Sequence, residues 1–174
     1  MRIPKGFCAV LSAIIFFIGA CSFEPAFNKG KFEKLDVAAR AVKTAIKAGE
    51  SYQQVSVRVQ QLSNDIAVLK NKVSTQKEKG LLDSYADLLS CYRDGLVLWK
   101  YKLDFAFFDS ELKGRIYVGQ DVEPIVIRYR FPTESHLYEP TGQYWKSIPG
   151  NSVDIIWSNA DTQLKNIENI TNYD

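Results

Sequence analysis

The stretch that decides the fold runs from residue 51 to residue 103 and reads "SYQQVSVRVQQLSNDIAVLKNKVSTQKEKGLLDSYADLLSCYRDGLVLWKYKL". Apolar residues recur in it at steps of three and four, which is typical of helices that bury one face. The first series is Tyr52, Val55, Val59, Leu62, Ile66, Leu69 and Val73. The second series is Leu82, Tyr85, Leu89, Tyr92, Leu96, Trp99 and Leu103. Each series predicts a coiled-coil seam.

The predicted helices are 52–76 and 81–111. Between their two seams lies the polar segment "STQKEKG" (74–80), which ends in Gly80. A polar, glycine-ending connection is typical of antiparallel neighbours. If the helices fold back there, the seams face each other in seven layers. The layers run from Val73 with Leu82 to Tyr52 with Leu103.

Two further helices are predicted on either side of this hairpin. Residues 32–48 place apolar side chains at helical spacing, and so do residues 152–170, with Asn151 or Ser152 as N-cap. Ser51 and Gln54 form a capping-box pattern, but the sequence leaves open whether 48–51 is a turn or a kink. Beside the second seam, Gly95 permits a close approach, and three leucines widen the apolar stripe: Leu81, Leu88 and Leu98. Such a wide stripe calls for a third helix.

The sequence therefore predicts a mainly α fold, an antiparallel bundle of three to four helices forming a single domain over 32–174. Between 114 and 150 the helical period disappears. There "RIYVG" (115–119) and "PIVIRYRFP" (124–132) alternate like strands, so a short β-hairpin is expected, although an extended strap fits equally well. The stretch "TESHLYEPTGQYWKSIPG" (133–150) is interpreted as an ordered surface loop.

The start of the chain has the pattern of a secretion signal over residues 1–20. Basic Arg2 and Lys5 precede an apolar run from Phe7 to Ile18, and small residues follow it. The run is shorter than the roughly 20 residues that a membrane-crossing helix needs, which disfavours a permanent span. Residues 21–31 are predicted to form a tether.

The residues Ile18-Gly19-Ala20-Cys21 resemble the lipobox of bacterial lipoproteins. The resemblance implies cleavage before Cys21, a diacylglyceryl thioether on that residue and retention on a membrane. Ser22 resembles the outer-membrane default in hosts with two membranes. The alternative is an ordinary secretory signal in which Cys21 falls near the cut by accident.

Charge and cysteine content narrow the class of protein further. Removing Arg2 and Lys5 from the 22 basic residues leaves 20, which equals the 20 acidic ones. A net charge near zero argues against a nucleic-acid partner and against a strongly polybasic grip on lipid head groups. With Cys8 removed and Cys21 lipidated, Cys91 is the one thiol left and cannot form an internal disulfide. We expect it to be a buried small hydrophobe.

Few residues suggest catalysis, and no enzymatic role, metal or cofactor is expected. The single histidine, His136, has no second histidine to share a metal with and is interpreted as a solvent-exposed loop residue. Ser135 beside it lies in no nucleophile motif. A cryptic hydrolase with paired acids is a remote alternative, because several carboxylates lie around the non-helical segment: Asp104, Asp109, Glu111, Asp121 and Glu123.

Aromatic side chains give the strongest hint of a binding surface. Those of the non-helical segment either cap the core or form a recognition patch for a glycan, a peptide or a protein partner: Tyr129, Phe131, Tyr138, Tyr144 and Trp145. Arg128 and Arg130, on one face, would add polar specificity. We therefore expect a lipid-anchored cell-envelope protein that acts by binding, as an accessory or scaffold subunit. The alternative is a lipoprotein that binds a small ligand or glycan.

The predicted hairpin also resembles uncharacterised bacterial helical-hairpin proteins. The likeness lies in "AIKAGESYQQV" (45–55) and "YRDGLVLWKYKL" (92–103). It implies a fold and carries no activity.

Overall fold

The computed structural model describes residues 27–106 and 114–172. The predicted signal, Cys21 and the end of the predicted helix 81–111 lie outside the described residues. Within the described ranges there are five helices: α1 (Glu33–Lys47), α2 (Tyr52–Lys70), α3 (Gln76–Asp104), α4 (Glu123–Tyr129) and α5 (Ser152–Asn172). The same ranges contain three strands: β1 (Ile116–Tyr117), β2 (Glu134–Tyr138) and β3 (Gln143–Ile148). The predicted fold class, mainly α with a short β segment before the last helix, is confirmed.

Helices α2 and α3 form the predicted antiparallel hairpin. The Tyr52 ring meets the Trp99 ring edge-on at 5.7 Å, and Arg93 donates to Ser63 Oγ at 2.8 Å, so numbers rise along one helix as they fall along the other. Most seam residues of both helices are buried. The outermost predicted layer is wrong: Tyr52 meets Trp99, while Leu103 remains 49% exposed. Since α2 begins at Tyr52, it offers no layer to cover Leu103.

Helices α1 and α5 complete a four-helix bundle. Arg40 and Lys47 of α1 form ion pairs with Glu168 and Asp161 of α5, which makes these two helices antiparallel. Helix α5 in turn covers the widened face of α3, where Leu81, Leu88 and Leu98 are buried. The chain therefore runs up, down, up and down through α1, α2, α3 and α5.

The helix starts are fixed by capping boxes. Ser51 caps α2 with Gln54, and Gly49 has a φ of 70°, so residues 48–51 are a true turn. Thr75 caps α3 with Glu78, so α3 begins at Gln76 and the predicted start at 81 is wrong. Gly80 lies inside the first turns of α3, because a satisfied cap outweighs the roughly 1 kcal/mol that a helical glycine costs.

The segment 114–150 contains the expected short β structure, with β1 inside "RIYVG", but its hairpin is built from other residues than predicted. "PIVIRYRFP" is neither a strand nor a strap, since residues 123–129 form α4, with Pro124 in its first turn and Arg130 ending it at a φ of 54°. Ile125 and Val126 are buried while Ile127 is 71% exposed, which is a helical pattern. Residues 133–150 are not a loop, because β2 and β3 form a hairpin and β3 also pairs with β1.

The described part of the predicted tether is also ordered. Residues 29–32 form a turn of 3₁₀ helix, and the Glu78 carboxylate, which has no exposed surface, fixes them to the start of α3. Lys31 Nζ donates to Glu78 Oε1 at 2.8 Å, and the Asn28 and Ser74 backbone N–H groups also donate to this carboxylate. These donors, Lys31 foremost, lower the pKa of Glu78 to about 2. We call this arrangement the Glu78 clasp.

Candidate functional site

The three-stranded sheet lies at the end of the bundle opposite to the Glu78 clasp. Lys102, near the end of α3, donates to the Gly150 carbonyl at 3.3 Å, just before α5 begins. The clasp lies at the start of α3, 24 residues earlier. At 1.5 Å per helical residue, the two regions are about 36 Å apart. The first described residues and the sheet therefore occupy opposite ends of the molecule.

One face of the sheet carries an aromatic stack. The strand register pairs His136 with Trp145, whose rings stack at 4.2 Å between centroids. Trp145 also lies 6.2 Å from Tyr117, which lies 5.2 Å from Phe105 at the end of α3. His136 is half-buried in a strand. The interpretation of it as an exposed loop residue is therefore wrong.

Beside this stack, a polar cluster joins β2 and β3 to Arg115, the residue just before β1. Ser147 Oγ lies 2.8 Å from His136 Nε2 and accepts a hydrogen bond of 2.7 Å from Arg115 Nε. Arg115 also forms an ion pair with Glu134 at 3.0 Å. A serine beside a histidine is one element of nucleophilic catalysis. Ser147 is fully buried, however, so its hydroxyl has no open approach for a substrate.

The β2–β3 hairpin exposes a set of large side chains. Leu137 is 50% exposed, Tyr138 42% and Tyr144 75%. Leu137 and Tyr144 are register partners, so they lie on the same face of the hairpin. In the strand order β1-β3-β2, no described strand pairs with the outer edge of β2. We refer to these three side chains and the β2 edge as the hairpin surface.

The five aromatic residues of the predicted patch separate into two groups. Tyr138 and Tyr144 belong to the hairpin surface, and Trp145 lies half-buried in the stack. Tyr129 and Phe131 stack on each other at 5.6 Å, and no described ring contact joins them to the hairpin. Phe131 is buried in the core. It caps the core, which was the other interpretation of these aromatics.

Tyr129, one of the predicted patch residues, is hydrogen-bonded to α3. Its hydroxyl donates to Asp94 Oδ2 at 3.1 Å, and Arg128 forms an ion pair with the same carboxylate. Arg130 ends α4 in the left-handed conformation, so the two arginines do not share a strand face. Cys91, nearby, is buried and donates to the Ile156 carbonyl at 3.4 Å. Burial raises the pKa of its thiol, as suits the expected small hydrophobe.

An open groove lies near the sheet end of the bundle. Its volume is about 480 Å³, and Trp99, Trp157 and Val153 contribute its apolar lining. Trp145 is not among the residues that line it. Glu50, Lys102 and Asp154 supply charges at its border. The groove is therefore a mixed apolar and polar depression between three helices.

In 27–106 and 114–172, no cluster of three or more His, Cys, Asp or Glu side chains has the geometry to hold a metal ion. Of the carboxylates named for a cryptic hydrolase, Asp104 pairs with Lys100 and Asp121 accepts from Tyr101, whereas Asp109 and Glu111 lie outside the described residues. No helix within those ranges has the length and apolar character to span a bilayer.

Sequence reasoning did not single out Arg115 or Ser147, although both lie at the centre of the polar cluster. The period-two pattern of 134–138 and 143–148, with Gly142 between them, is a signal that predicts their hairpin. Comparison with protein-family models, curated proteins and solved structures finds no match to the chain.

Proposed function

We propose that the protein is a lipid-anchored component of the cell envelope that acts by binding, as an accessory or scaffold subunit. The hairpin surface is the part that holds the partner. The observation that carries this proposal is the exposure of three large side chains on one hairpin, Leu137 and Tyr144 on one face and Tyr138 on the other. Exposed large apolar side chains grouped on one element are typical of protein interaction sites.

The partner that fits is an extended segment of another protein. The outer edge of β2 offers unpaired backbone groups, and a strand added there would gain main-chain hydrogen bonds. Leu137 and Tyr138 point to opposite faces of the sheet, so each would contact alternate side chains of the added strand. A segment with apolar residues on both faces is the expected ligand.

The anchor in this proposal is a lipid on Cys21. Its support is the lipobox pattern Ile18-Gly19-Ala20-Cys21. Two or three acyl chains suffice for stable attachment without a spanning helix. The described chain begins at the Glu78 clasp, so the base of the sheet, where Lys102 contacts Gly150, lies about 36 Å along α3 from the anchored end. In a host with two membranes, the proposed location is the outer membrane, facing the periplasm.

Site-specific photocrosslinking in cells tests the binding role. A photoreactive phenylalanine analogue replaces Tyr144 or Leu137, and the matched controls carry it at Val57 or Val68 of α2. The control side chains are 67% and 59% exposed. We expect one discrete protein adduct from the hairpin positions that the α2 positions do not give. Adducts that are identical from both sets, or that contain only this chain or cell-wall material, would contradict the proposal.

A second candidate function, binding of a small ligand or glycan, is favoured by the groove beside Trp99 and Trp157. Sugar rings commonly stack on indole faces, and both tryptophans are partly exposed in the groove. Titration with soluble cell-wall glycan fragments would then shift the tryptophan fluorescence of the chain. The Trp145→Phe variant, altered outside the groove, should keep the response. An unchanged spectrum at millimolar glycan would exclude this candidate.

We also propose that the protein is not an enzyme. The nearest approach to a catalytic pair, Ser147 with His136, has a buried serine that Arg115 holds by a hydrogen bond. Incubation with activated esters followed by intact-mass measurement tests this point. Acylation of Ser147 in the folded protein would overturn it.

A further inference from the structure

Lysines are concentrated at the end of the bundle where the described chain begins. The first residues, α1, the end of α2 and the start of α3 together expose six of them: Lys29, Lys34, Lys70, Lys72, Lys77 and Lys79. Among the described residues, the terminal two turns of the four long helices at this end contain two exposed acids, Glu33 and Asp83, and three partly exposed ones, Asp36, Asp65 and Glu168. The Glu78 carboxylate does not offset the excess, since it is buried against Lys31. We call this surface the basic end.

The overall charge conceals this arrangement. The whole chain carries a net charge of +2, which by itself gives no reason to expect attraction to an anionic surface. Charges elsewhere are largely paired: Arg58 with Glu50 and Lys100 with Asp104 at the sheet end, and Lys47 with Asp161 along the bundle. At the basic end, Lys34 lies 3.8 Å from Asp65. Four other lysines form no ion pair among the described residues, so their fields add at one surface: Lys29, Lys70, Lys72 and Lys79.

The basic end also contains the first described residues of the chain. Phe27 packs beside Phe32 at 6.2 Å between ring centroids, and Lys77 lies over the Phe27 ring at 4.9 Å. Five residues separate Phe27 from Cys21, which is six Cα–Cα steps, a distance of at most about 22 Å when fully extended. A lipid on Cys21 would therefore hold the basic end close to the head groups, where a surface potential acts within roughly 8 Å at physiological salt.

We propose that the basic end binds an anionic phospholipid surface, so that the bundle stands upright with its sheet pointing away from the membrane. This inference deepens the proposed function and rests on it for the attachment of the chain to a membrane. Lysines near an anionic leaflet each strengthen attachment by about fivefold. Six lysines around one lipid anchor would favour a single orientation of the bundle over free rotation about that anchor.

Lysine footprinting on vesicles tests this orientation with the full chain. The protein is reconstituted into vesicles of phosphatidylcholine alone or with 30 mol% phosphatidylglycerol (about one lipid in three, enough to give a marked surface potential) and is treated briefly with an acetylating reagent. Peptide masses then report each lysine. We expect Lys29, Lys70, Lys72 and Lys79 to be modified several-fold more slowly on the anionic vesicles, while Lys146 on the hairpin reacts equally on both. Added salt should abolish the difference, because exposed charges are screened.

Two matched variants make the test specific. Lys70→Gln/Lys72→Gln/Lys79→Gln removes half of the basic end, and the protection of Lys29 should fall at least several-fold. Lys47→Gln/Lys100→Gln/Lys146→Gln removes three exposed lysines elsewhere and should leave that protection unchanged. Circular dichroism melting checks that both variants fold.

The outcomes also separate this proposal from the anchor. Either a lipidated Cys21 or an uncleaved leader would keep the chain on the vesicle, and the mass of the Cys21 peptide reports which of them does so. If the Cys21 peptide carries no lipid while the lysines of the basic end remain protected, only the proposed anchor is overturned. Equal footprints on neutral and anionic vesicles would overturn the basic-end proposal, and so would protection by duplex DNA in the absence of protection by vesicles.

Discussion

Gly95 of α3 lies against the indole ring of Trp157 of α5, so closely that a Cβ atom at position 95 would overlap Cζ3 and Cη2 of the ring. Tyr92 and Trp99 flank the same indole at 6.4 and 6.5 Å between ring centroids. The ring therefore has little room to move aside. This contact sets how closely α3 and α5 approach each other.

Gly95→Ala should lower the free energy of unfolding by about 1 to 3 kcal/mol, because overpacking a filled site costs more than the gain in helix propensity. Gly80→Ala is the matched control. Gly80 is also helical, and nothing lies within 4 Å of a Cβ added there. The control should be stabilised by up to about 1 kcal/mol. Urea unfolding measures both, and equal effects would contradict the proposed close approach.

Glu78→Gln should destabilise the protein by about 1 to 3 kcal/mol at pH 7. The substitution removes the charge that Lys31 and the backbone N–H groups stabilise. Asp83→Asn, an exposed acid on the same helix, should change stability by less than about 0.5 kcal/mol.

The same clasp predicts a dependence of stability on pH. The folded pKa of Glu78, about 2, lies below its unfolded value. Its contribution is therefore fully present above the unfolded pKa of about 4.3 and is lost as the pH falls through the folded pKa. The shift corresponds to about 3 kcal/mol. The free energies of unfolding of wild type and Glu78→Gln, measured against pH, should converge between pH 5 and pH 2. A difference that stays constant with pH would contradict the clasp.

Cys91 should resist alkylation in the folded protein. Its thiol is buried, and burial raises its pKa, so little thiolate is present or accessible. With iodoacetamide at pH 8, peptide masses should show Cys91 unmodified under native conditions and modified in 8 M urea, a concentration that unfolds most small domains. Rapid native labelling would show that α5 separates from α3 in solution.

Arg130→Gly should stabilise the protein by up to about 1 kcal/mol. Arg130 is the one described residue other than glycine with a positive φ, at 54°, and glycine adopts that conformation without steric cost. Arg130→Val should instead destabilise it, because a β-branched residue fits the left-handed region poorly. Thermal melts of the two variants should shift in opposite directions.

The bundle could be predicted from the sequence because its seams repeat over many turns. The short elements could not be predicted in the same way. Alternation in "PIVIRYRFP" placed Ile125 and Ile127 on one strand face, yet α4 buries Ile125 with Val126 and exposes Ile127. Seven residues are too few for periodicity to separate a helix from a strand, and tertiary packing decides between them.

The start of α3 was within reach of sequence reasoning. The pattern Thr75-x-x-Glu78 is the same capping-box pattern as that of Ser51 and Gln54. The polar cluster was not within reach, because His136 and Ser147 come from two strands and Arg115 immediately precedes a third. Only the register brings those side chains together.

The Glu78 clasp also determines how a mechanical load enters the molecule. Tension applied through the residues that precede Phe27 reaches the clasp before it reaches α1, since Asn28 and Lys31 are both bonded to Glu78. That carboxylate belongs to α3, which packs against both α2 and α5. A pull from the amino-terminal side is thus shared with the central helix of the bundle, so α1 is protected from being peeled away first.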